Sequence, residues 1–344
     1  MAGYWALKEL VAARTREFLR EPEAIFWVYV FPIFLMVGLG IAFSRPGPKE
    51  LRVAVTDPGL VEGAAGSEAA RRGLSLRAAS LEEARSLYRE RKVDLIVRAE
   101  EGRFEYIYDP LAIDAELARL RTDDFLQRAA GRGDAVPSSD AEIREPGSRY
   151  VDWLIPGLLG MNIMGAGLWG VGFVTVDLRM RKLLKRFAAS PMRRSDFLLA
   201  LIASRMLFIL SEVVAILLVG QLGFGMIVRG SALALAAVVF AGAIGFSGLG
   251  LLLASRTDKI EVISGLLNIV MLPMWLCSGI FFSYERFPES LQPFIRALPL
   301  TQLNDGLRRV ILEGASLGSQ WFPVVALSAF GLAGFALALR WFRW

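Results

Sequence analysis

Very little in this sequence can carry out covalent or metal chemistry. Its 344 residues include no His and a single Cys, Cys277. That removes His-based catalytic triads, His-ligated zinc, His-held haem and disulfide frameworks. No G-x-x-x-x-G-K-[ST] run occurs, so no Gly-rich loop is present to cradle nucleotide phosphates. What draws notice instead is where a few polar groups fall. Glu212 is the one carboxylate well inside a long uncharged run, and Asn268 is an amide inside another. A carboxylate left facing lipid would cost about 3 kcal/mol, so Glu212 is expected to face protein or a water-filled cavity. Arg205, two turns earlier on the same face, is a distant partner that can snorkel outward, and Asn268 is an alternative one. Glu212 and Asn268 are thus candidates for lining a pathway, while a structural role, with the carboxylate gluing spans together, stands beside that reading. The third feature is the segment Asp177–Asp196, with seven basic residues against two acidic ones. Within it, Leu183, Leu184 and Phe187 form an apolar stripe beside Lys185 and Arg186, and Pro191 ends the helix after Ser190. Basic residues alone anchor a loop to anionic headgroups, whereas the apolar stripe suits a helix docking in a groove of another protein.

These residues must be held by elements built for lipid. The composition is 54% hydrophobic and 21% charged, with mean hydropathy +0.46, and several uncharged runs reach the ~20 residues that cross a bilayer. The expected spans are Ala24–Phe43, Trp153–Val176, Phe197–Val228, Ser231–Ala254, Val262–Phe282 and Gln320–Leu339. The first is too long for a signal-peptide core and no A-x-A site follows Phe43, so it reads as a retained anchor. Before it, residues 1–23 place Leu7, Leu10, Val11 and Phe18 on one side of a helix, which fits an interfacial helix on the inner leaflet as well as a cytoplasmic start of the first span. With the N-terminus inside, the inner segments hold 15 Lys and Arg against 5 in the short outer ones, so both termini are expected in the cytoplasm of a cell membrane. This clustering also explains the net charge of +5 without nucleic acid.

The segment 44–152 then lies outside, with 18 basic and 21 acidic residues. Strand patterns occur at Leu51–Asp57, Val93–Arg98 and Phe104–Tyr108, and helical ones at Leu81–Arg91 and Leu111–Ala130. This predicts a small α/β domain, a sheet covered by helices, returning to the membrane through a Gly-, Ser-, Pro- and acid-rich linker at 131–147. The fold class is therefore membrane all-α: six transmembrane helices with an inserted small α/β extracytoplasmic domain. In the fourth span Gly242, Gly245, Gly248 and Gly250 form a small-residue face for close helix packing or a hinge. The outer segment 283–319 carries Pro288, Pro293 and Pro299 and a helix with Leu303, Leu307, Val310 and Ile311 on one face and Asn304, Arg308 and Arg309 on the other, the pattern of an amphipathic connector.

Four stretches resemble the permease subunit of an ABC-2 type transporter, in the branch with a large extracytoplasmic domain between the first two spans. They are Arg20-Glu21-Pro22 followed by an apolar run with Pro32; LLKRFAASPMRRSDFLLA from Leu183; Leu272-Pro273-Met274 with SGIFFSYERFPESLQ from Ser278; and LPLTQLNDGLRRVILEG from Leu298. With the spans and the insert, the resemblance covers essentially the whole chain. It implies a non-enzymatic transport subunit of an exporter in the inner or plasma membrane, with ATP bound and hydrolysed by a separate ABC ATPase and no cofactor on this chain. It also implies a second permease chain, identical or a sister, and a coupling role for Leu183, Leu184, Lys185, Arg186 and Phe187. For the outer segment, the resemblance implies shallow re-entrant helices rather than a surface connector. The alternative function, of another class, is an ATPase-independent membrane scaffold or receptor whose outer α/β domain binds a partner.

Overall fold

Hydrocarbon can satisfy no backbone group, so an apolar run of this length must bond internally as helix. In the computed structural model, which describes residues 12, 15, 16, 18–43, 50–61, 68–70, 72–100, 103–133, 149–183 and 194–341, six helices are long and apolar enough to cross a membrane. The chain divides into two compact units, one of Met1–Ser44 with Arg144–Trp344 and one of Arg45–Ile143.

The first unit is the helical bundle. Its first span, α1 (Phe26–Phe43), continues from a short helical turn at Pro22–Ile25. The π-helical turn Phe26–Val30, where the Phe31 N–H reaches back to the Phe26 carbonyl, lies where the Pro32 ring would otherwise strike a carbonyl four residues earlier. Of the expected interfacial helix, residues 1–11 lie outside the described residues. Phe18 is described, and its ring packs on Phe208 with centroids 4.2 Å apart.

The insert carries β1 (Leu51–Val55), β2 (Leu74–Ala78), α2 (Leu81–Arg89), β3 (Leu95–Glu100), β4 (Arg103–Ile107) and α3 (Ile113–Ala129). Its sheet order is β2-β1-β3-β4, with β1 parallel to both neighbours and β4 antiparallel to β3. Alternation along the strands supplies two faces. Leu51, Val53, Val55, Leu95 and Val97 pack with Ala118, Phe125 and Leu126 of α3, and Ala54 and Ile96 pack with Ala84 and Leu87 of α2. Ser80 caps α2, its hydroxyl accepting the Glu83 N–H at 3.3 Å, in the Ser-x-x-Glu pattern of a helix start. Strand β2 had no counterpart in the sequence reading. Five residues, LSLRA, with Arg77 exposed on a sheet edge are too short and polar to register as a strand alone, and become one by pairing with β1.

The chain re-enters the bundle with α4 (Tyr150–Met180), then α5 (Arg194–Phe224), α6 (Ala232–Ala254), α7 (Ile260–Cys277), α8 (Gln292–Ala297), α9 (Pro299–Ile311) and α10 (Trp321–Trp341). Helix α5 stops at Phe224, because Gly225 takes φ +62°, before the expected Val228. Helix α7 stops at Cys277, and Gly279 at φ +72° turns the chain, well before the expected Phe282; both positions use the left-handed region open to glycine. Helix α6 sits at the centre. A methyl group at its Gly248 would overlap the Gly331 carbonyl of α10, one at Gly250 would press on the Gly167 carbonyl of α4, and one at Gly242 would strike Leu303 of α9. The glycine face of the fourth span is thus a two-sided packing surface.

Candidate functional site

Among the described residues, three polar clusters lie between the helices of the bundle. The first is at the ends of α4 and α6. Arg179, in the last turn of α4, donates to the carbonyls of Ala254 at 2.7 Å and Ser255 at 3.3 Å and also to that of Thr257. The first is an orphan acceptor of the α6 C-terminus and the other two belong to the connection that follows, and a cation there also suits the helix dipole. Arg181 pairs with Asp177 at 2.9 Å, and Lys182 adopts φ +58° where the helix ends. Leu183 is half-buried, and the rest of the expected coupling set, Leu184, Lys185, Arg186 and Phe187, lies outside the described residues. Sequence reasoning counted Arg179 only as a topology charge. The structure makes it the tie between the start of the basic loop and the α6–α7 connection.

The second cluster holds Glu212. Helices α4 and α5 meet where α4 widens into a π-helical turn, Leu168–Phe173. Gly170 in that turn has no side chain, and the Arg205 guanidinium fills the space, so that a methyl group there would collide with it. Arg205 donates through Nε to the Ala166 carbonyl at 3.0 Å and faces the Glu212 carboxylate at 3.6 Å. Glu212 is only 3% exposed. Its long, flexible neighbour therefore bridges the two turns that separate them along α5. At the preceding residue, the Ser211 and Tyr29 hydroxyls share a hydrogen bond that ties α5 to α1. Asn268 stands apart, exposed on α7. Of the two candidate pathway residues, one is thus packed inside the chain beside a cation and the other is on an outward face.

The third cluster was the least legible. Leu303 of α9 abuts Gly242, ten residues after Ala232, and Asn304 abuts Gly160, ten residues after Tyr150. Ten residues of helix are about 15 Å, so the first part of α9 lies deep between α4 and α6. Its end is shallow, because Val310 packs on Gly230 and the Arg229 N–H bonds to the Ile311 carbonyl at 2.9 Å, just before α6 begins. The first part of the segment is buried among the helices, and the connector pattern with Asn304 and Arg308 on a wet face does not hold: Asn304 is fully buried and Arg308 is 5% exposed. Both serve the chain break after α7. The Asn304 amide donates to the Ser278 carbonyl at 2.9 Å and Arg308 donates to the Gly279 carbonyl, satisfying backbone that no helix bonds. The Arg308 guanidinium lies 3.5 Å from the centre of the Trp153 ring and 3.8 Å from the Asp305 carboxylate. Tyr284 donates to that same carboxylate at 3.4 Å. Small residues make this possible, since Gly157 admits the Ile280 backbone against α4. The sequence signal was Asn304 and Arg308 at i and i+4 after Pro-Leu-Thr, but amphipathicity reads the same for a buried polar face and a wet one.

At the end of the bundle where the insert is attached, Arg149 holds Asp152 through two bonds of 3.0 and 2.9 Å. It also donates to the Phe224 carbonyl at 2.7 Å, tying the last turn of α5 to the first turn of α4. The hydrogen bond to Asp152, ahead of the partial burial that opposes it, keeps the Arg149 guanidinium charged beyond its ordinary range.

The six apolar helices and the buried α9 meet a family whose profile, the ABC-2 family transporter protein, matches residues 22–340. The chain belongs to that family. A permease of this family is a membrane component of an ABC transporter and is not itself the catalyst. Among curated proteins, this permease is similar to ABC transporter G family member 20 of Dictyostelium discoideum, 25% identical over 177 residues, which is 50% of the chain. The matched stretch is 24% of that relative's length.

Proposed function

We propose that this permease forms half of the transmembrane pathway of an ABC exporter, driven by a separate cytoplasmic ABC ATPase and completed by a second permease chain. The observation that carries the reading is the family match over residues 22–340, joined to a sequence without a phosphate-cradling loop. Export, both termini in the cytoplasm and residence in the inner or plasma membrane are part of the same proposal, the last two resting on the Lys and Arg asymmetry. ATP is the partner's ligand, and this chain needs no cofactor. The substrate arrives from the cytoplasmic side or from the bilayer, and alternating access follows closure of the ATPase.

The route for that closure is the loop after α4. Leu183, Leu184, Lys185, Arg186 and Phe187 dock on the ATPase, and Arg179 passes the displacement to α6 and α7 because it holds the carbonyls of Ala254, Ser255 and Thr257. Replacing Leu184, Lys185, Arg186 and Phe187 together with Ala in the reconstituted complex is expected to lower transport-coupled ATP hydrolysis by about tenfold or more while the permease still folds. Unchanged coupled hydrolysis sinks the coupling assignment. A complex that never forms with any ABC ATPase favours the scaffold or receptor reading instead.

Glu212 and Asn268 are the pathway candidates, and Glu212 takes that role only if the α4–α5 seam opens during the cycle, because the carboxylate is packed there beside Arg205. Glu212→Gln keeps shape and hydrogen bonding but removes the charge. The expected outcome is normal assembly with altered transport, read in the same reconstituted assay, and unchanged transport leaves Glu212 a structural group of the seam.

A further inference from the structure

An open cavity of about 810 Å³ lies at the end of the bundle where the insert is attached, between the last turns of α1, the start of α4 and the chain after α7. Its volume falls in the ~300–1,000 Å³ range of small-molecule sites. Nothing in the transport reading uses it. Leu35, Leu39 and Phe43 form one wall, and the Tyr150 ring packs on Phe43 with centroids 4.5 Å apart. Trp153 lines the cavity from α4, and Phe281, Phe282 and Ser283 line it from the chain after α7. Arg286, in the short turn Tyr284–Arg286, is the only charged side chain among the described lining residues, and it is exposed.

Two properties of this arrangement select the occupant. A channel walled by Leu and aromatic side chains at the end of a membrane span is poor ground for water and good ground for a hydrocarbon chain, which the bilayer supplies at its side. Tyr150 and Trp153 are the residue types that sit at headgroup level, so a cation beside them stands where a lipid phosphate would be. Arg matches phosphate with paired donors, and no carboxylate among the described lining residues competes for it. A second copy of the chain would bring apolar side chains to the walls but would leave that cation without a reason. We propose that this cavity binds one anionic phospholipid, an acyl chain lying between α1 and Phe281 and the phosphate held by Arg286. The Trp153 ring that lines the cavity carries Arg308 on it, 3.5 Å from the ring centre, so an occupant braces the ring on which the buried α9 rests. The site is independent of the transport reading, since binding needs neither ATP nor an ATPase.

The test uses the full-length chain purified in detergent without any partner. Bound phosphatidylglycerol and phosphatidylcholine are counted per chain by native mass spectrometry, and contact is read as quenching of Trp fluorescence by phosphatidylglycerol carrying brominated acyl chains. The expected result is one retained phosphatidylglycerol per chain, with phosphatidylcholine retained about tenfold less. Arg286→Gln, at an exposed position, is expected to erase that preference. Leu39→Trp fills the slot and is expected to remove the bound lipid, and Trp153→Phe to lower the bromine quenching by the share of that one ring, while Trp27 and Trp321, exposed on the spans, still respond. Equal retention of the two lipids, or retention unchanged by Arg286→Gln, overturns the headgroup assignment. A wild-type chain that holds no lipid but dimerises, with Leu39→Trp abolishing the dimer, overturns the proposal in favour of a second chain in the cavity. Should Leu39→Trp fail to fold, the Arg286→Gln and Trp153→Phe comparisons still decide the matter.

Discussion

In the bundle, helices meet one another backbone against backbone, whereas in the insert the helices meet the sheet through side chains. Helix α6 meets α4 and α10 through glycines whose hydrogens touch carbonyl oxygens, and the polar groups buried nearby are spent on backbone that helix breaks leave unbonded. The insert has water around it, so its stability rests on apolar side chains folded onto both faces of a sheet, and ion pairs such as Arg77 with Glu83 at 3.1 Å lie on its surface. The reason is the solvent. Between helices in lipid no apolar transfer energy is to be gained, so close packing and polar bonds hold them, while in water the burial of apolar surface dominates.

The contrast is broken most severely at Gly248. A Gly248→Leu chain is expected not to fold at all, because even the first carbon of the side chain overlaps the Gly331 carbonyl, and the measurement is loss of monodisperse protein in detergent. Gly265→Ala on α7 meets nothing within 4 Å and is expected to be neutral or slightly stabilising. If both behave alike, backbone approach is not what holds the bundle. Next in size, Arg308→Ala removes a buried cation from the Gly279 carbonyl, the Trp153 ring and Asp305 together, and is expected to destabilise the bundle by about 4 kcal/mol, read as a lower melting temperature in detergent. Arg308→Lys is expected to recover little of it, lacking the planar stack. In the insert the corresponding loss comes from an apolar group. Leu95→Ala, at a residue fully buried in the sheet, is expected to cost about 3 kcal/mol by urea denaturation of the excised residues 45–143. In the same assay Arg77→Ala is expected to cost only about 0.5 kcal/mol. An ion-pair variant as damaging as the Leu95 one erases the distinction between the regions.

Legibility followed the same division. Apolar length alone marked all six spans, and alternation marked β1, β3 and β4, because both patterns are local consequences of solvent and pleat. Strand β2 escaped because LSLRA becomes a strand only beside β1. Arg205 looked too remote from Glu212 for a close pair, since residue counting measures along the axis and ignores a side chain that lies flat across the gap at Gly170. Arg179 looked like any basic residue at a membrane edge until α6 ended beside it.

From the residues by themselves followed the membrane class, the count of spans, the α/β insert and the resemblance to a permease, since each depends on composition, period or motif order along the chain. Tertiary structure decided which polar groups are buried and what they bond. Asn304 and Arg308 have the spacing of a wet helix face, and only the depth of α9 between α4 and α6 makes them partners for Ser278 and Gly279. An amphipathic period reports that one face differs from the other. Whether the polar face meets water or an unbonded carbonyl is set by what the other helices bring to it.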